Sequence, residues 1–440
     1  MRVKWEKKIL FQLQGTRGRV NMEEIMEEQE RRDVGGGEGK KNYFNENYKN
    51  DIDYVVKIAR TLLTPIGIYP LYGNDSVMAQ IMARCQTLVV FGLMCFLLVP
   101  HFIYTFFDAE DLSRLMKIIA AQIFSLLAII KFWTMIINKS DLRYCLDELE
   151  NHWRDVTCEE DRTVMTDSAK IGRLCTIAYL GLSYGGALPY HIVLPLVAER
   201  IVKDDNSTQI PLPYPSDYVF FVPEDSPGYE MLFVSQILIS SIILSTNCGV
   251  YSLIAIYVMH ACCLFQVVQR QLQSIFEYSK TIDELTRRLS VIVDNHTAAI
   301  RYAQRIEKAL NVVFLSEMVG CTVIICFLEF GVLKDWEDRK MIGVMTYAVL
   351  MTSIFVNVFI FSFTGDRLKE QSEKVGEYSY SLEWYDLPKN LAADLMFIMI
   401  RASRPSTLTA GKVFDLSLQG FCEVVKTSAA YLNFLRAMVN

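Results

Sequence analysis

The chain has 440 residues, of which 52% are hydrophobic and only 21% are charged, and its formal net charge at pH 7 is -6. The mean hydropathy is +0.22 and the apolar residues come in long blocks, which excludes a disordered chain, a fibre, a small disulfide scaffold and most soluble enzymes. An acidic balance gives no basic surface for nucleic acid, so we expect no nucleic-acid partner. These properties indicate an all-α membrane protein that crosses the bilayer several times.

The first segment, residues 1–50, is polar and contains no apolar core of a cleavable signal peptide. It carries a charged run at Met22–Arg32 and a glycine-rich tract that begins at Gly35. Such composition is typical of disorder. We therefore predict a disordered cytoplasmic extension, and we expect the first membrane span to act as the insertion signal.

Seven later blocks are each long enough for the roughly 20-residue helix that crosses a bilayer core of about 30 Å. Because the blocks are largely apolar on every side, buried helices of a soluble protein explain them poorly. Four lie in the N-terminal part of the helical domain, residues 51–260, two lie in residues 311–364, and one lies near the C-terminus. The predicted spans are 87–107, 115–137, 174–198, 231–259, 311–333, 341–364 and 408–435.

The distribution of Lys and Arg sets the predicted orientation. With a cytoplasmic N-terminus, the segments inside hold 31 of these residues and the segments outside hold 7, which is the bias expected of cytoplasmic loops. Seven spans then place the C-terminus outside. Of the Asn-x-Ser/Thr sequons only Asn206 falls in an outside loop, so we predict a glycan at Asn206.

Amphipathic helical sequence adjoins the later spans on the predicted cytoplasmic side, in residues 261–310 and 365–407. Apolar residues recur there with helical period in 264–276, 284–310, 367–382 and 391–400. Such faces either lie on a membrane surface or pack together. We predict that they pack, so that helices four to seven extend into a cytoplasmic bundle that serves subunit assembly.

The last predicted span is unusual because it contains ionised side chains. Lys412, Asp415, Glu423 and Lys426 all lie within residues 408–435, and one charge at bilayer depth costs at least about 2.5–3.5 kcal/mol. Such a helix cannot expose these groups to lipid.

On a continuous helix the polar side chains of the last span share one face. This face either forms salt bridges to other spans, for example to Lys131 or Glu317, or lines a water-filled path for ions. We favour the path, because the outside loops carry 12 Asp and Glu against 6 Lys and Arg and so concentrate cations, and because the apolar outer end of the span suits a hydrophobic gate. The predicted pore and gate residues are Asp415, Gln419, Glu423, Lys426, Tyr431, Phe434 and Leu435.

The outer halves of spans two, three, four and six mix apolar side chains with a few hydroxyls and amides. Glycines beside a tyrosine at 184–186 leave space, which suits either tight helix packing or a pocket for a small hydrophobic ligand. The proline-rich second outside loop is placed to cap such a pocket. The candidate ligand-binding residues are Gln122, Ser125, Ser183, Tyr184, Leu188, Phe233, Ile237, Thr346, Tyr347 and Leu350.

Catalytic and metal-binding patterns do not occur in the sequence. The five histidines show no paired metal spacing and no nucleophile motif is present, so we expect neither an enzyme nor a cofactor or metal. The two halves also lack the repeat expected of a secondary transporter.

The C-terminal third resembles the insect odorant receptor family. The residues that carry this resemblance, in order, are Trp384–Pro388 (WYDLP), Arg401–Pro405 (RASRP), Leu408–Leu418 (LTAGKVFDLSL) and Lys426–Arg436 (KTSAAYLNFLR). Weaker similarity covers roughly residues 45–330.

The resemblance implies a seven-span subunit of an odorant-gated, non-selective cation channel in the cell membrane of an olfactory neuron dendrite. It implies a tetramer with the odorant receptor co-receptor, anchored by the cytoplasmic ends of spans four to seven, with the last span at the pore. A small hydrophobic volatile or pheromone-like ligand would bind among spans two, three, four and six. Membrane lipid is the remaining expected partner.

Two other receptor classes are alternatives. Insect gustatory receptors usually end in a Thr-Tyr…Gln-Phe pattern, where this chain has Ala430–Tyr431 and Leu435–Arg436. A G-protein-coupled receptor has the opposite orientation, and this chain lacks the Asp-Arg-Tyr and Asn-Pro-x-x-Tyr motifs of that class. The odorant receptor interpretation fits the sequence better than either.

Overall fold

A computed structural model describes most of the chain after the N-terminal segment. The described residues are 45–68, 77–107, 112–156, 158–198, 200–202, 208–218, 227–277, 279 and 281–439. Asn206 and residues 1–44 of the predicted extension lie outside them. Asn45 is buried and donates a hydrogen bond to the Trp153 carbonyl over 3.0 Å. The folded body therefore begins before residue 50, where the sequence analysis placed the boundary.

Helices make up nearly all of the described structure. In chain order the elements are α1 (Tyr48–Leu63), α2 (Val77–Phe107), α3 (Leu112–Ile137), α4 (Lys139–Arg154), α5 (Glu159–Leu188), a π-helical turn (Pro189–Val193), α6 (Leu194–Val197), β1 (Ile201–Val202), β2 (Thr208–Gln209), α7 (Gly228–Gln273), α8 (Ile282–Glu337), α9 (Met341–Ser381), a 3₁₀ turn (Trp384–Asp386), α10 (Lys389–Ala402), β3 (Thr409–Ala410), β4 (Phe414–Asp415) and α11 (Leu418–Val439). The strands form two short antiparallel hairpins, β1–β2 and β3–β4.

Within the described part of the chain, six helical stretches are long and apolar enough to cross a membrane: α2, α3, α5 with its continuation to Val197, α7, α8 and α9, while α11 is not among them. The first six predicted spans fall on these stretches, the third ending at Ala198, one residue beyond. The prediction of an all-α membrane protein is therefore confirmed.

The start of the seventh predicted span is wrong. Residues 408–417 form the β3–β4 hairpin, which turns at Gly411 and Lys412 with positive φ angles of 57° and 61°. The Leu416 N–H donates to the Leu408 carbonyl over 2.8 Å. The helix begins only at Leu418, and its 22 residues still extend about 33 Å at 1.5 Å per residue.

The core centres on α7, which packs against α1, α3, α5, α8 and α9. Its span has no charged residue, and every residue from Thr246 to Cys263 is buried. A helix that is apolar all round belongs in the interior of a bundle. The other helices therefore surround α7.

The extensions of α7, α8 and α9 beyond their spans form a second layer with α4 and α10. Their apolar faces, represented by Leu272, Leu289, Val375 and Leu395, are buried. These four residues pack within the chain, whereas Phe397 and Ile400 of α10 are exposed. The placement of this layer in the cytoplasm stays a prediction.

An ion network fastens α4 to α8 in this layer. The buried Asp141 carboxylate accepts hydrogen bonds from Arg305 and, over 2.9 Å, from Lys308. The hydrogen bond from Lys308 holds the pKa of Asp141 below its usual range. The carboxylate therefore stays ionised and paired at neutral pH.

A second ion pair lies inside the membrane-spanning bundle. Lys131 Nζ on α3 lies 2.7 Å from Glu317 Oε1 on α8, and the two side chains are 1% and 2% exposed. Lys131 also donates to Asn247, and Asn357 donates to Glu317, each over 2.9 Å. The hypothesis that Lys131 or Glu317 neutralises the last span is therefore wrong, because they neutralise each other.

We predict that Lys131→Met destabilises the fold strongly. It leaves the Glu317 carboxylate buried without its cation, a change that costs about 3–5 kcal/mol. The double variant Lys131→Met/Glu317→Gln removes both charges and is expected to recover most of that loss. The melting temperature of the detergent-solubilised protein, followed by size-exclusion chromatography, measures both effects.

The matched control is Lys374→Met, which removes the cation of the exposed Lys374–Glu370 pair on α9. It should change stability by less than about 1 kcal/mol. The interpretation of the buried pair is wrong if the melting temperature of Lys131→Met equals that of the wild type. It is also wrong if the melting temperature of the double variant is as low as that of Lys131→Met.

Candidate functional site

A cavity of about 80 Å³ lies among α3, α5, α7, α8 and α9. Apolar side chains form most of its wall. The lining residues are Lys117, Ala120, Ala121 and Phe124 of α3; Ser183 and Ala187 of α5; Tyr190 and His191 of the π-helical turn; Tyr214; Ser240 and Leu244 of α7; Ile324 and Leu328 of α8; and Tyr347, Leu350, Ser353 and Ile354 of α9. An apolar wall with a few polar groups is typical of sites for small molecules.

A loop side chain closes one end of this cavity. Tyr214, from the segment that follows β2, is 4% exposed, and its hydroxyl lies 2.6 Å from His191 Nε2. Gln236 of α7 holds the Tyr214 backbone through two hydrogen bonds of 3.1 Å, one to the N–H and one to the carbonyl. The loop therefore caps the cavity as the sequence analysis expected.

The capping phenol is uncharged at neutral pH. Burial raises the pKa of Tyr214 well above its ordinary value. Its neighbours are aromatic, since the His101 ring lies 5.3 Å and the Tyr190 ring 6.3 Å from the Tyr214 ring. The cap is thus a packed aromatic plug with one internal hydrogen bond.

Polar groups are concentrated at the capped end of the cavity. The two serine hydroxyls deeper in the cavity form a hydrogen bond to each other. Ser183 and Ser353 share a hydrogen bond of 2.9 Å. At the capped end, Lys117 lies 2.5 Å from Asp335 and 4.9 Å from the centre of the Tyr347 ring. The cavity is therefore apolar at depth and polar below its cap.

Three of the ten predicted ligand-binding residues line this cavity: Ser183, Tyr347 and Leu350. The others are directed elsewhere on their helices. Gln122 donates to the His101 carbonyl over 2.9 Å, Ser125 to Ala121 over 3.0 Å and Thr346 to Ile342 over 2.9 Å, all backbone carbonyls.

The remaining four predicted residues also lie off the wall. Tyr184 pairs with Ser245 over 2.7 Å. Leu188 is 55% exposed on the outer surface of the bundle. Phe233 packs its ring on Tyr229 at 6.2 Å, and Ile237 is half-buried one turn from the cavity residue Ser240.

A second, open groove of polar character runs beside α11. It is walled by Met318, Val319, Thr322 and Val323 of α8, Asp366 and Lys369 of α9, Phe414, Asp415 and Ser417 of the hairpin region, and Leu418, Gln419, Gly420, Glu423, Val424, Thr427 and Tyr431 of α11. Among the predicted pore residues, Asp415, Gln419, Glu423 and Tyr431 line this groove.

The expected polar face of the last span needs a correction. Asp415 lies on β4, so it does not continue the helical row of Gln419 and Glu423. Lys426 donates to Glu423 over 3.2 Å, and the two side chains are 71% and 60% exposed. Phe434 is exposed and Leu435 is half-buried near the end of α11.

Metal chemistry has no support in the described residues, where no group of three or more His, Cys, Asp and Glu side chains could hold a metal ion. The two sites are a mostly apolar cavity and an open groove with both charged and apolar side chains in its wall. They share one wall, since α8 contributes residues to both.

Comparison with known proteins identifies the family. The sequence profile described as "7tm Odorant receptor" matches residues 111–429. Odorant receptor 13a of Drosophila melanogaster is 22% identical over 265 residues, 56% of this chain and 62% of that protein. Odorant receptor 10 of Aedes albopictus is 23% identical over 233 residues, 51% of this chain and 60% of that protein. The chain thus spans about six tenths of the length of these two relatives.

Other similarities cover more of the chain. Odorant receptor 82a of Drosophila melanogaster is 19% identical over 345 residues, 77% of this chain and 88% of that protein. The solved structure of the insect olfactory receptor OR5 from Machilis hrabei in complex with eugenol matches with a TM-score of 0.74 at 16% identity, over 90% of this chain and 100% of that chain. The profile covers well over half of the residues, so the chain belongs to the insect odorant receptor family and is a multi-pass membrane protein.

Proposed function

We propose that this chain is the odorant-binding subunit of a ligand-gated, non-selective cation channel. In this proposal it has seven spans, a cytoplasmic N-terminus and an outer C-terminus, and it forms a tetramer with the odorant receptor co-receptor in the dendrite membrane of an olfactory neuron. The observation that carries the proposal is that one helix, α8, walls both the cavity and the groove along α11.

The cavity is suited to a small volatile molecule. Its deeper wall is hydrophobic, with Phe124, Leu244, Ile324 and Ile354 among its residues, and burying apolar surface stabilises a bound ligand by about 25 cal/mol per Å². The similar receptor OR5 was solved in complex with eugenol, a small aromatic molecule. This supports an odorant as the ligand.

The groove is suited to a water-filled path. Glu423 and Lys426 are exposed on a helix long enough to cross a bilayer, and charges of this kind cannot face lipid. Asp366 and Lys369 of α9 add further charge to the groove wall. Around a symmetry axis, this face of α11 would line a shared pore.

A route from ligand to pore follows from α8. Ile324 and Leu328 line the cavity, while Val319 and Thr322 line the groove one to two turns away. The Lys131–Glu317 pair couples this part of α8 to α3, which forms another cavity wall. A ligand that shifts α3 or α8 would therefore move the groove wall, because packed helices move as rigid elements.

Assembly is supported by exposed apolar side chains in the extension layer and the hairpin. Tyr385, Phe397, Ile400 and Val413 are all more than half exposed. Exposed apolar patches of this kind mark interaction surfaces. We infer that they pack against neighbouring subunits.

The first prediction concerns channel activity. Cells that express this chain with an insect co-receptor should show cation currents evoked by members of a volatile odorant panel, and cells with either subunit alone should show none. Whole-cell recording with surface biotinylation measures this. A surface-expressed complex that stays silent to the whole panel, including eugenol, would contradict the proposal.

The second prediction uses two neighbouring glycines of α5. A Cβ at Gly186 would lie 2.8 Å from Leu350 Cδ2, and Leu350 lines the cavity. A Cβ at Gly185 would meet nothing within 4 Å. Gly186→Ala should therefore push Leu350 into the cavity and raise the odorant concentration for half-maximal current by about tenfold or more, given that misfit in a packed site costs roughly 1–3 kcal/mol.

Gly185→Ala is the matched control and should leave the dose–response curve within about twofold of the wild type. Both variants make the same helix-favouring change, so they differ mainly in what the new methyl group meets. Equal potency of the two variants would place the ligand elsewhere in the molecule.

The third prediction separates the two charges of the Glu423–Lys426 pair. If this face borders the ion path, Glu423→Gln should lower single-channel cation conductance and Lys426→Gln should raise it, because a nearby negative charge concentrates cations and a positive charge repels them. The exposed Glu383→Gln, in the connection after α9, is the control. Unchanged conductance in both pair variants would remove α11 from the pore.

A further inference from the structure

The capped end of the cavity holds hydrogen-bond donors that the protein leaves unused. The hydroxyls of Tyr190 and Tyr347 both border the cavity, and neither forms a hydrogen bond to the described part of the chain. Their rings lie 6.4 Å apart. Both side chains border the open space of the cavity, so a molecule bound there can accept hydrogen bonds from these hydroxyls.

Lys117 adds the only charge among the residues that line the cavity. Its ammonium group pairs with Asp335 over 2.5 Å and lies 4.9 Å from the centre of the Tyr347 ring. An ammonium has three N–H donors, and the single hydrogen bond to Asp335 leaves two. The Lys117 side chain is 21% exposed and lines the cavity. The Asp335 side chain is 7% exposed and is not one of the lining residues.

The acceptors at this end are already engaged. The Asp335 carboxylate holds Lys117 and is pressed against Gly343, where a Cβ would lie within 3.0 Å of the carboxyl carbon. His191 and Tyr214 are joined to each other over 2.6 Å. A ligand therefore meets the N–H donors of Lys117, which cannot accept, and two tyrosine hydroxyls, which can donate or accept.

Charge restricts the ligand further. Lys117 and Asp335 together are neutral, so an anionic ligand would bring a second carboxylate close to Asp335 in surroundings of low dielectric constant. An uncharged oxygen acceptor takes the remaining N–H groups without that repulsion. A pure hydrocarbon would leave the donors of Lys117, Tyr190 and Tyr347 unpaired.

We propose that Lys117, held by Asp335, makes this cavity selective for small molecules with an apolar body and one uncharged oxygen acceptor, such as ketones, esters and aldehydes. The acceptor lies at the capped end near Tyr190 and Tyr347, and the apolar body fills the deeper part lined by Phe124 and Ile324. The inference rests on the proposed function, and it names the ligand class of the same cavity.

The experiment records currents from the chain with co-receptor. The ligands are a straight-chain methyl ketone, the isosteric methyl ester, the alkane of equal length and the matching carboxylate. In the wild type the ketone and ester should act at concentrations about tenfold or more below those of the alkane and the carboxylate, since sites that hydrogen-bond a substrate group discriminate strongly against analogues without it.

Two variants test the role of the charge. Asp335→Asn leaves the Lys117 cation without its counter-charge, so it should improve the potency of the carboxylate relative to the ketone by about tenfold or more. The double variant Lys117→Met/Asp335→Asn removes both charges, so that no unpaired charge is left behind. It should abolish most of the difference in potency between the ketone and the alkane. The double variant keeps the test decisive if Asp335→Asn alone does not reach the surface.

The outcomes separate this inference from the proposed function. Currents evoked equally by alkane and ketone, or a ketone preference that survives the double variant unchanged, would overturn the selectivity of Lys117 while the receptor function stands. A wild-type complex at the surface that responds to none of the ligands and to no other odorant would overturn the proposed function itself.

Discussion

The structure depends on the enclosure of α7. This helix carries no charged side chain across its span, and it is buried from Thr246 to Cys263. Where large side chains of α7 meet their neighbours, aromatic rings fill the interior: the Tyr251 ring packs at a tilt on Tyr179 and edge to face on Phe361. One turn or more toward the capped end, α7 presents Ser240 and Leu244, and there the surrounding helices leave a cavity. The cavity thus lies where the side chains of the core no longer fill the space between the helices, and Tyr214 from a loop covers one end of the cavity.

A buried ion pair turns this core into a connected unit. Lys131 and Glu317 join α3 to α8, and Asn247 and Asn357 bring α7 and α9 into the same polar cluster. Four helices that wall the cavity are therefore tied together at one level of the bundle. Burial of such a pair adds little net stability, but it fixes the register of the helices. In the proposed receptor, a displacement at the cavity wall would be passed on to the groove through this cluster.

Periodicity and hydropathy located the first six spans and the helical extensions, because these depend on long runs of similar residues. The sequence did not predict the β3–β4 hairpin, because Leu408, Val413 and Phe414 are as apolar as the residues of a membrane span. The one signal in the sequence was Gly411, which takes a left-handed conformation at the turn. The cavity residues were largely missed for a geometric reason. The π-helical turn at Pro189–Val193 inserts an extra residue into the helical period, and Tyr190 and His191 of this turn line the cavity. Tyr214 came from a loop, whose position no periodicity could give.

The exposed charges of α11 are the strongest argument that a single chain is incomplete. Glu423 and Lys426 lie open on a helix that packs against α8 and α9. If α11 crosses the bilayer, as we propose, lipid is not a stable environment for these charges. Val413 and Tyr431 are exposed along the same region. A helix with both ionised and large apolar side chains on its free surface needs two different neighbours, water for the first and protein for the second. In the proposed tetramer, a central aqueous path would supply the water and the neighbouring subunits would supply the protein.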